Sequence, residues 1–127
     1  APTIVLGESI GSGIASWHLE AHTPDALILI TPLTTLSDVA AKHYWFYPTR
    51  WLVHDVFDVT DAVANYDGPT LIVYGTADTV TPPVLSEEVA SASGPDTEVV
   101  AVRNAGHNNL MGYPAAQAAI LSFLERH

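Results

Sequence analysis

The sequence contains no cysteine, few basic residues and no long apolar run. Without cysteine, disulfides, thiol catalysis and thiolate metal sites are excluded, while the redox compartment stays open. Only 4 basic side chains accompany 14 acidic ones, a formal charge of −10, and such a field repels nucleic acid and anionic membranes. The longest apolar run, Ala26–Ile30, is too short to span a bilayer, and no signal segment is recognised at the start. We therefore expect no nucleic-acid partner and no membrane insertion, and a soluble, cytoplasmic protein is favoured.

The composition that remains is that of a packed domain. Apolar residues make up 48% of the chain and charged residues 14%, which argues against disorder. A length of 127 residues fits one domain, and a chain of this size can bury a substantial core. We expect residues 1–127 to form a single domain.

Short apolar runs alternate with helical patterns along the chain. The predicted strands are residues 3–6, 26–30, 70–74 and 98–103. The predicted helices are residues 10–22, 82–92 and 114–125. This alternation is typical of parallel strands joined by right-handed crossovers. The predicted fold class is α/β, with a four-stranded parallel sheet flanked by helices.

Segment 33–66 is ambiguous. A helix capped by Thr35 or Ser37 is predicted to reach Tyr44, and a second helical piece is predicted over residues 49–56 after the interruption at Pro48. The segment holds most of the aromatic side chains, namely Tyr44, Trp45, Phe46, Tyr47, Trp51 and Phe57. Two interpretations are compatible with each other: a buried helix pair packed on the sheet, and an apolar wall over a substrate pocket.

Gly7-Glu8-Ser9-Ile10-Gly11 matches the G-x-S-x-G nucleophile elbow. In that motif a serine occupies a sharp, strained turn between a strand and a helix, which raises its hydroxyl above the sheet. Side chains two residues to either side are expected to collide with the backbone, which explains glycine at both positions. The motif lies between an apolar strand and a helical pattern, which is the context it requires. Ser9 is therefore the candidate nucleophile.

A serine nucleophile needs a base, and the base needs an acid that fixes its tautomer. Of the six histidines, His107 directly follows the last predicted strand, and Asp78 lies just beyond the third. A loop histidine and a turn aspartate are the alternative interpretations. Asp58 and Asp61 are the other candidate acids, but they precede the third strand. Ser9, Asp78 and His107 each follow a different parallel strand, at the edge where α/β sheets place their sites.

The order Ser, Asp, His is that of the α/β-hydrolases, and the chain resembles this family. More narrowly it resembles the serine-aminopeptidase-like and monoacylglycerol-lipase-like carboxylesterases. The matching stretches are residues 6–13, 28–32, 74–78 with Thr81-Pro82, and 105–109. The resemblance implies that the four strands correspond to the last four strands of the family's sheet.

The resemblance also implies what is missing. The Ile10 amide is expected to serve as one oxyanion donor, whereas the loop that carries the second donor belongs to the absent half of the fold. The first strand would lose its neighbour from that half as well. We therefore expect a homo-oligomer, or a complex with a chain that supplies the missing half.

Two further patterns receive less support. His18 and His22 stand four apart on a predicted helix, a spacing that can hold zinc, but no third ligand is evident nearby. Gly7, Gly11 and Gly13 do not form a dinucleotide-binding motif. His43 and His54 flank the aromatic segment and are expected to be structural or to line a pocket. We expect no metal and no cofactor.

The sequence leaves two function classes open. One is a serine hydrolase that cleaves carboxylic esters of small or medium acyl chains through an acyl-enzyme. The other is a non-catalytic assembly or binding module derived from half of a hydrolase. The intact triad residues favour the first class, and the absent oxyanion loop favours the second.

Overall fold

The computed structural model describes residues 3–9, 11–34 and 58–127. Within them lies one four-stranded parallel sheet, with its strands in sequence order. The strands are β1 (Ile4–Glu8), β2 (Ala26–Ile30), β3 (Thr70–Gly75) and β4 (Thr97–Val102). The predicted fold class is confirmed.

Four α-helices flank this sheet in the described part of the chain. They are α1 (Gly11–Ala21), α2 (Val59–Ala64), α3 (Pro83–Ala92) and α4 (Pro114–Arg126), and a short 3₁₀ turn, Leu110–Gly112, precedes α4. The predicted helices over residues 10–22, 82–92 and 114–125 correspond to α1, α3 and α4. The helical pieces predicted up to Tyr44 and over residues 49–56 lie outside the described residues, as do the aromatic side chains of that segment.

The boundary of β1 differs from the prediction in an informative way. Residues 3–6 were expected, because Gly7 reads as a strand breaker, yet the strand continues through Gly7 and Glu8. The register explains this extension, since Gly7 pairs with Leu29 and Glu8 with Ile30. Pairing with β2, a buried interior strand of the sheet, outweighs the weak strand propensity of glycine.

Helix α2 lies in the segment that the sequence left ambiguous. Asp58 is its N-cap, and the Asp58 carboxylate accepts a hydrogen bond from the Asp61 amide at 3.1 Å. Val59, Ala62 and Val63 are buried, so the helix covers the sheet with one face. An aspartate before a helical run is a start signal, but six residues are too few for the periodicity to be recognised in the sequence.

The core lies on both faces of β2 and β3, in which every residue is buried. On one face, residues of the strands pack against Ala116 and Phe123 of α4. On the other face, they pack against Ala15 of α1, the valines of α2 and Val89 of α3. Strands covered on both faces need apolar residues at successive positions, which is why these two are uninterrupted apolar runs.

All four strands run in one direction, so their carboxyl ends share one edge of the sheet. Ser9 follows β1, Thr31 follows β2, Asp78 follows β3 and His107 follows β4. The parallel topology thus brings together side chains that are up to about a hundred positions apart in sequence. We find no helix, among those described, that is long and apolar enough to cross a membrane.

Candidate active site

Ser9 occupies the turn that joins β1 to α1. Its φ of 54° lies in the left-handed region, which non-glycine residues adopt at a cost of roughly 1–2 kcal/mol. The Ser9 amide donates to the carbonyl of Ile30 at 2.9 Å, and the Ser9 carbonyl accepts from the Ser12 amide at 3.0 Å. A strained serine at a strand-to-helix turn is the local geometry of a nucleophile elbow.

The two glycines of the motif differ in their surroundings. A Cβ atom added to Gly7 would stand 2.9 Å from the Ala15 side chain and 2.9 Å from the Gly11 carbonyl, so α1 can approach β1 only when residue 7 is glycine. A Cβ atom added to Gly11 meets no atom of the described part of the chain within 4 Å, so the collision predicted there is wrong. Glu8 is the exposed last residue of β1. Ile10, whose amide is the predicted oxyanion donor, lies outside the described residues.

Asp78 and His107 are in direct contact. The Nδ1 atom of His107 lies 2.9 Å from Oδ2 of Asp78, and the side chain of Asp78 is 1% exposed whereas that of His107 is 19% exposed. The second oxygen of Asp78, Oδ1, accepts from the amides of Val80 and Thr81 at 2.9 and 2.8 Å. These two bonds fix the orientation of the carboxylate, so that its other oxygen, Oδ2, faces Nδ1 of His107 as an acceptor. A neutral His107 that donates from Nδ1 keeps Nε2 free to accept a proton.

The loops that carry these two side chains are joined to each other. The Ala77 amide donates to the Ala105 carbonyl at 3.0 Å, and the Asn104 amide donates to the Thr76 hydroxyl at 2.9 Å. A Cβ atom at position 75 would lie 2.2 Å from the Ala105 carbonyl oxygen. Gly75 therefore permits the close approach of the two loops that brings Asp78 to His107.

Asn109 shapes the turn around the histidine. Its side-chain oxygen accepts a hydrogen bond from the Gly106 amide at 2.7 Å, closing the short turn that contains His107. Asn104 at the start of this loop is left-handed, with a φ of 64°, a conformation that asparagine adopts more readily than most residues. Because Asn109 accepts from an amide that precedes it, the contact does not follow the usual pattern in which an asparagine side chain bonds to backbone further along the chain, and the sequence alone does not indicate it.

Ser9 stands apart from the Asp78–His107 pair in this structure. Among the hydrogen bonds of the described residues, none joins the Ser9 hydroxyl to His107, and Ser9 is only partly buried. Catalytic hydrogen bonds are often long or open without substrate and tighten in its complex. The structure thus brings the candidate acid and the candidate base together, and it places the candidate nucleophile at the same edge of the sheet, two strands from the strand that leads to Asp78.

The two alternative acids have other roles. Asp58 caps α2, and Asp61 lies in the first turn of that helix. Within the part of the chain that is described, neither carboxylate forms a hydrogen bond with His107. Asp61 also lines a cleft of about 370 Å³ with Thr23 and Tyr66, residues that precede β2 and β3 and so lie toward the amino ends of the strands.

The histidine pair of α1 does not form a larger ligand set. The rings of His18 and His22 have centroids 5.0 Å apart. No group of three or more histidine, aspartate or glutamate side chains suited to a metal ion occurs among residues 3–9, 11–34 and 58–127. His43 and His54 lie outside these ranges.

Tyr74, which directly precedes Gly75 in β3, links the sheet to α3. Its hydroxyl donates to the Glu87 carboxylate at 3.3 Å. Burial, and then the charge of Glu87, raise the pKa of Tyr74 above its ordinary value of 10.0. The phenol therefore remains a protonated donor throughout the neutral range, and α3 stays anchored beside the Asp78 loop.

A family model described as "TAP-like protein", from the α/β-hydrolases, matches residues 39–126. This range is more than half of the chain, and it contains both Asp78 and His107. The chain belongs to this family.

A curated relative matches most of the chain. Rv2307c of Mycobacterium tuberculosis, described as an uncharacterized protein, is 34% identical over 104 residues, which are 82% of this chain and 37% of the relative. This chain therefore spans little more than a third of the length of this curated relative.

Solved structures show the same fold across nearly the whole chain. The non-heme bromoperoxidase BpoC, as it is described, of Mycobacterium tuberculosis superimposes with a TM-score of 0.72 at 19% identity, covering 99% of this chain and 68% of that one. An esterase domain from Rhodothermus marinus gives 0.71 at 14% identity, with coverages of 98% and 60%. The monoacylglycerol lipase of Paleococcus ferrophilus gives 0.64 at 15% identity, with coverages of 98% and 68%.

Proposed function

We propose that this chain supplies the nucleophile, base and acid of a serine hydrolase that cleaves carboxylic esters of small or medium acyl chains. The observation that carries the proposal is the 2.9 Å contact between His107 Nδ1 and the buried Asp78 carboxylate. This pair lies at the edge of the sheet where Ser9 occupies a left-handed turn. The names of two structural neighbours, an esterase domain and a monoacylglycerol lipase, support an ester substrate.

In the proposed reaction, Ser9 Oγ attacks the acyl carbon and its proton passes to His107 Nε2. The tetrahedral intermediate collapses, the ester C–O bond breaks, and the leaving alkoxide takes the proton from His107 to depart as the alcohol. Water then attacks the acyl-enzyme, giving a proton to His107, and Ser9 leaves with that proton as the carboxylic acid is released. Asp78 stays ionised throughout, because it orients the imidazole and stabilises the imidazolium.

The developing oxyanion needs hydrogen-bond donors. We assign one to the Ile10 amide, as the motif implies. The second must come from outside residues 1–127, since the resemblance puts that donor in the half of the fold that this chain lacks. The absence of one donor costs about 100- to 1,000-fold in turnover, so the chain by itself should hydrolyse esters slowly even though Ser9 is reactive.

Labelling with a fluorophosphonate tests the proposal. We expect one adduct, located at Ser9 by peptide mass spectrometry, and we expect Ser9→Ala to abolish both labelling and hydrolysis of p-nitrophenyl esters of short acids. Ser91→Ala is the matched control, because Ser91 is an exposed serine of α3, and it should retain full labelling. An adduct at another serine, or full hydrolysis by Ser9→Ala, would contradict the proposal.

The second candidate is the non-catalytic assembly or binding module. Coverage favours it, since this chain matches 68% of each of two neighbouring structures, and about a third of each neighbour lies outside the match. The two candidates differ in the reactivity of Ser9. A module without catalytic function predicts that Ser9 reacts with the fluorophosphonate no faster than Ser91 does, whether or not the rest of the fold is present.

A further inference from the structure

Ser12, the second residue of α1, contacts the candidate nucleophile through two donors. It is completely buried, at 0% exposure. Its hydroxyl donates to the Ser9 carbonyl at 2.5 Å, and its amide donates to the same oxygen at 3.0 Å. The Leu33 amide in turn donates to the Ser12 hydroxyl in a longer bond of 3.4 Å. The hydroxyl is therefore both a donor to the elbow and an acceptor from the loop that follows β2.

The contact matters because the Ser9 backbone is strained. Its amide is bound to the last carbonyl of β2, that of Ile30, and its carbonyl is bound twice by Ser12. A left-handed non-glycine residue persists only where its surroundings fix it. The direction of the Ser9 side chain follows from this backbone conformation. The hydrogen bonds of the Ser9 amide and the Ser9 carbonyl therefore determine the position of the Ser9 hydroxyl.

The Ser12 hydroxyl also connects the Ser9 turn to helix α3, which follows the Asp78 turn. The loop after β2 is bound to α1 at the Leu33 amide and to α3 at the Pro32 carbonyl, which accepts from the Ser86 hydroxyl at 3.0 Å. Ser86 is also buried, at 1% exposure, and α3 begins directly after the turn in which Asp78 accepts the Thr81 amide. A chain of buried hydrogen bonds thus runs from the nucleophile to the helix behind the acid.

We infer that Ser12 is a positioning residue of the active site. Its hydroxyl fixes the Ser9 carbonyl, and through it the Ser9 side chain, at the distance from His107 that attack on an acyl carbon requires. The inference rests on the proposed function, in which Ser9 is the nucleophile. Ser12 itself touches no reacting atom.

The test compares Ser12→Ala with Ser16→Ala in the full chain. Ser16 is the matched control, because it is a buried serine one turn further along α1 whose hydroxyl donates to the Ser12 carbonyl at 2.8 Å and does not contact Ser9. The readout is the rate of fluorophosphonate labelling at Ser9 per folded molecule. We expect Ser12→Ala to lower that rate by about 10- to 100-fold, as small misplacements of a reacting group do, and Ser16→Ala to leave it unchanged.

The pH dependence of labelling distinguishes a misplaced Ser9 from a disturbed His107. We expect the midpoint of the profile to be the same in Ser12→Ala as in the wild type, because the Asp78–His107 contact is untouched, while the plateau falls. An equal loss of rate in both alanine variants, or a shifted midpoint, would overturn the inference. If Ser12→Ala does not fold, Ser12→Cys is the substitute, because a thiol is only a weak donor. We expect a lower labelling rate in that variant as well, and a wild-type rate would overturn the inference.

A second measurement does not depend on activity. The backbone carbon chemical shifts of Ser9 report its φ and ψ angles, and we expect them to change in Ser12→Ala but not in Ser16→Ala. Unchanged shifts in Ser12→Ala would overturn the inference. A wild-type chain that is not labelled at Ser9 contradicts the proposed hydrolase, and in that case the shifts alone decide whether Ser12 fixes the Ser9 backbone.

Discussion

Both oxygens of the Asp78 carboxylate have defined partners, which makes its role testable by a single-atom change. Oδ2 faces His107 Nδ1, and Oδ1 accepts two amides. In Asp78→Asn the remaining oxygen can keep the two amides, and the new NH₂ group then donates to Nδ1. The proton of a neutral His107 moves to Nε2, the atom that has to accept one from Ser9. We expect ester turnover to fall by roughly 1,000- to 10,000-fold with an unchanged far-UV circular dichroism spectrum.

Asp58→Asn is the control for this prediction. Asparagine caps helices about as well as aspartate, so α2 should keep its N-cap, and ester turnover should stay at the wild-type level. Asp61→Asn should behave in the same way. A large loss of turnover in either of these variants, with normal turnover in Asp78→Asn, would transfer the role of the acid to α2.

Thr31 combines two unfavourable features at one position next to the elbow. Its φ is 46° although it is β-branched, and its buried hydroxyl has no hydrogen-bonding partner among residues 3–9, 11–34 and 58–127. Thr31→Val keeps the shape and removes the unpaired group. We expect the variant to be more stable, by about 1 kcal/mol, in urea unfolding.

Thr70→Val is the matched control for Thr31→Val. Thr70 is also buried, but its hydroxyl donates to the Gly68 carbonyl at 3.3 Å, so its loss should lower the free energy of unfolding. If Thr31→Val is also destabilised, the Thr31 hydroxyl is satisfied by a buried water molecule.

At the scale of elements, the sequence predicts strands better than it predicts contacts. β2 and β3 are recognisable because burial on both faces requires uninterrupted apolar runs. α2 is not, because six residues with one cap carry too little periodicity. Ser9, Asp78 and His107 could be singled out because each follows a strand. The roles of Ser12 and Gly75 depend on contacts with residues 21 and 30 positions away, at Leu33 and Ala105, and no local pattern encodes such contacts.

The end of β3 is in such close contact with the His107 loop that a methyl group added at Gly75 should lower both stability and activity. In Gly75→Ala the added Cβ atom would lie 2.2 Å from the Ala105 carbonyl oxygen, so the loop has to move. We expect thermal unfolding to show a loss of about 1–3 kcal/mol, together with reduced ester turnover. Gly112→Ala is the control, because a Cβ atom there meets no atom within 4 Å among the residues that the structure describes, and it should change neither quantity. Wild-type stability in Gly75→Ala would mean that the two loops are not in close contact.

For the molecule as a whole, the sheet has an open side at β1. Among the described strands β1 pairs only with β2. Leu6 of β1 is 54% exposed, and Ile14 and Trp17 of the adjacent helix α1 are 60% and 56% exposed. Leu6 lies on the opposite face of β1 from Val5, which packs toward α1, so large apolar side chains are exposed on both faces of the sheet at this side, as is typical of an interaction surface. The neighbouring structures contain additional chain beyond the part that this protein matches, as their coverages show.

We propose that β1 pairs either with a second copy of this chain or with a polypeptide that carries the missing half of the fold. Unpaired strand edges recruit other strands, and a lysine on the edge prevents this. Sedimentation of the 127-residue chain at micromolar concentration should therefore give a species heavier than the 13.6 kDa monomer, and Leu6→Lys should shift it toward the monomer mass. Leu121→Lys is the matched control, since Leu121 on α4 is 61% exposed and far from β1 in sequence, and its assembly should equal that of the wild type. A single 13.6 kDa species, with the amides of Ile4–Glu8 protected from hydrogen exchange, would contradict pairing through this strand, because it would show that β1 is already covered within one chain.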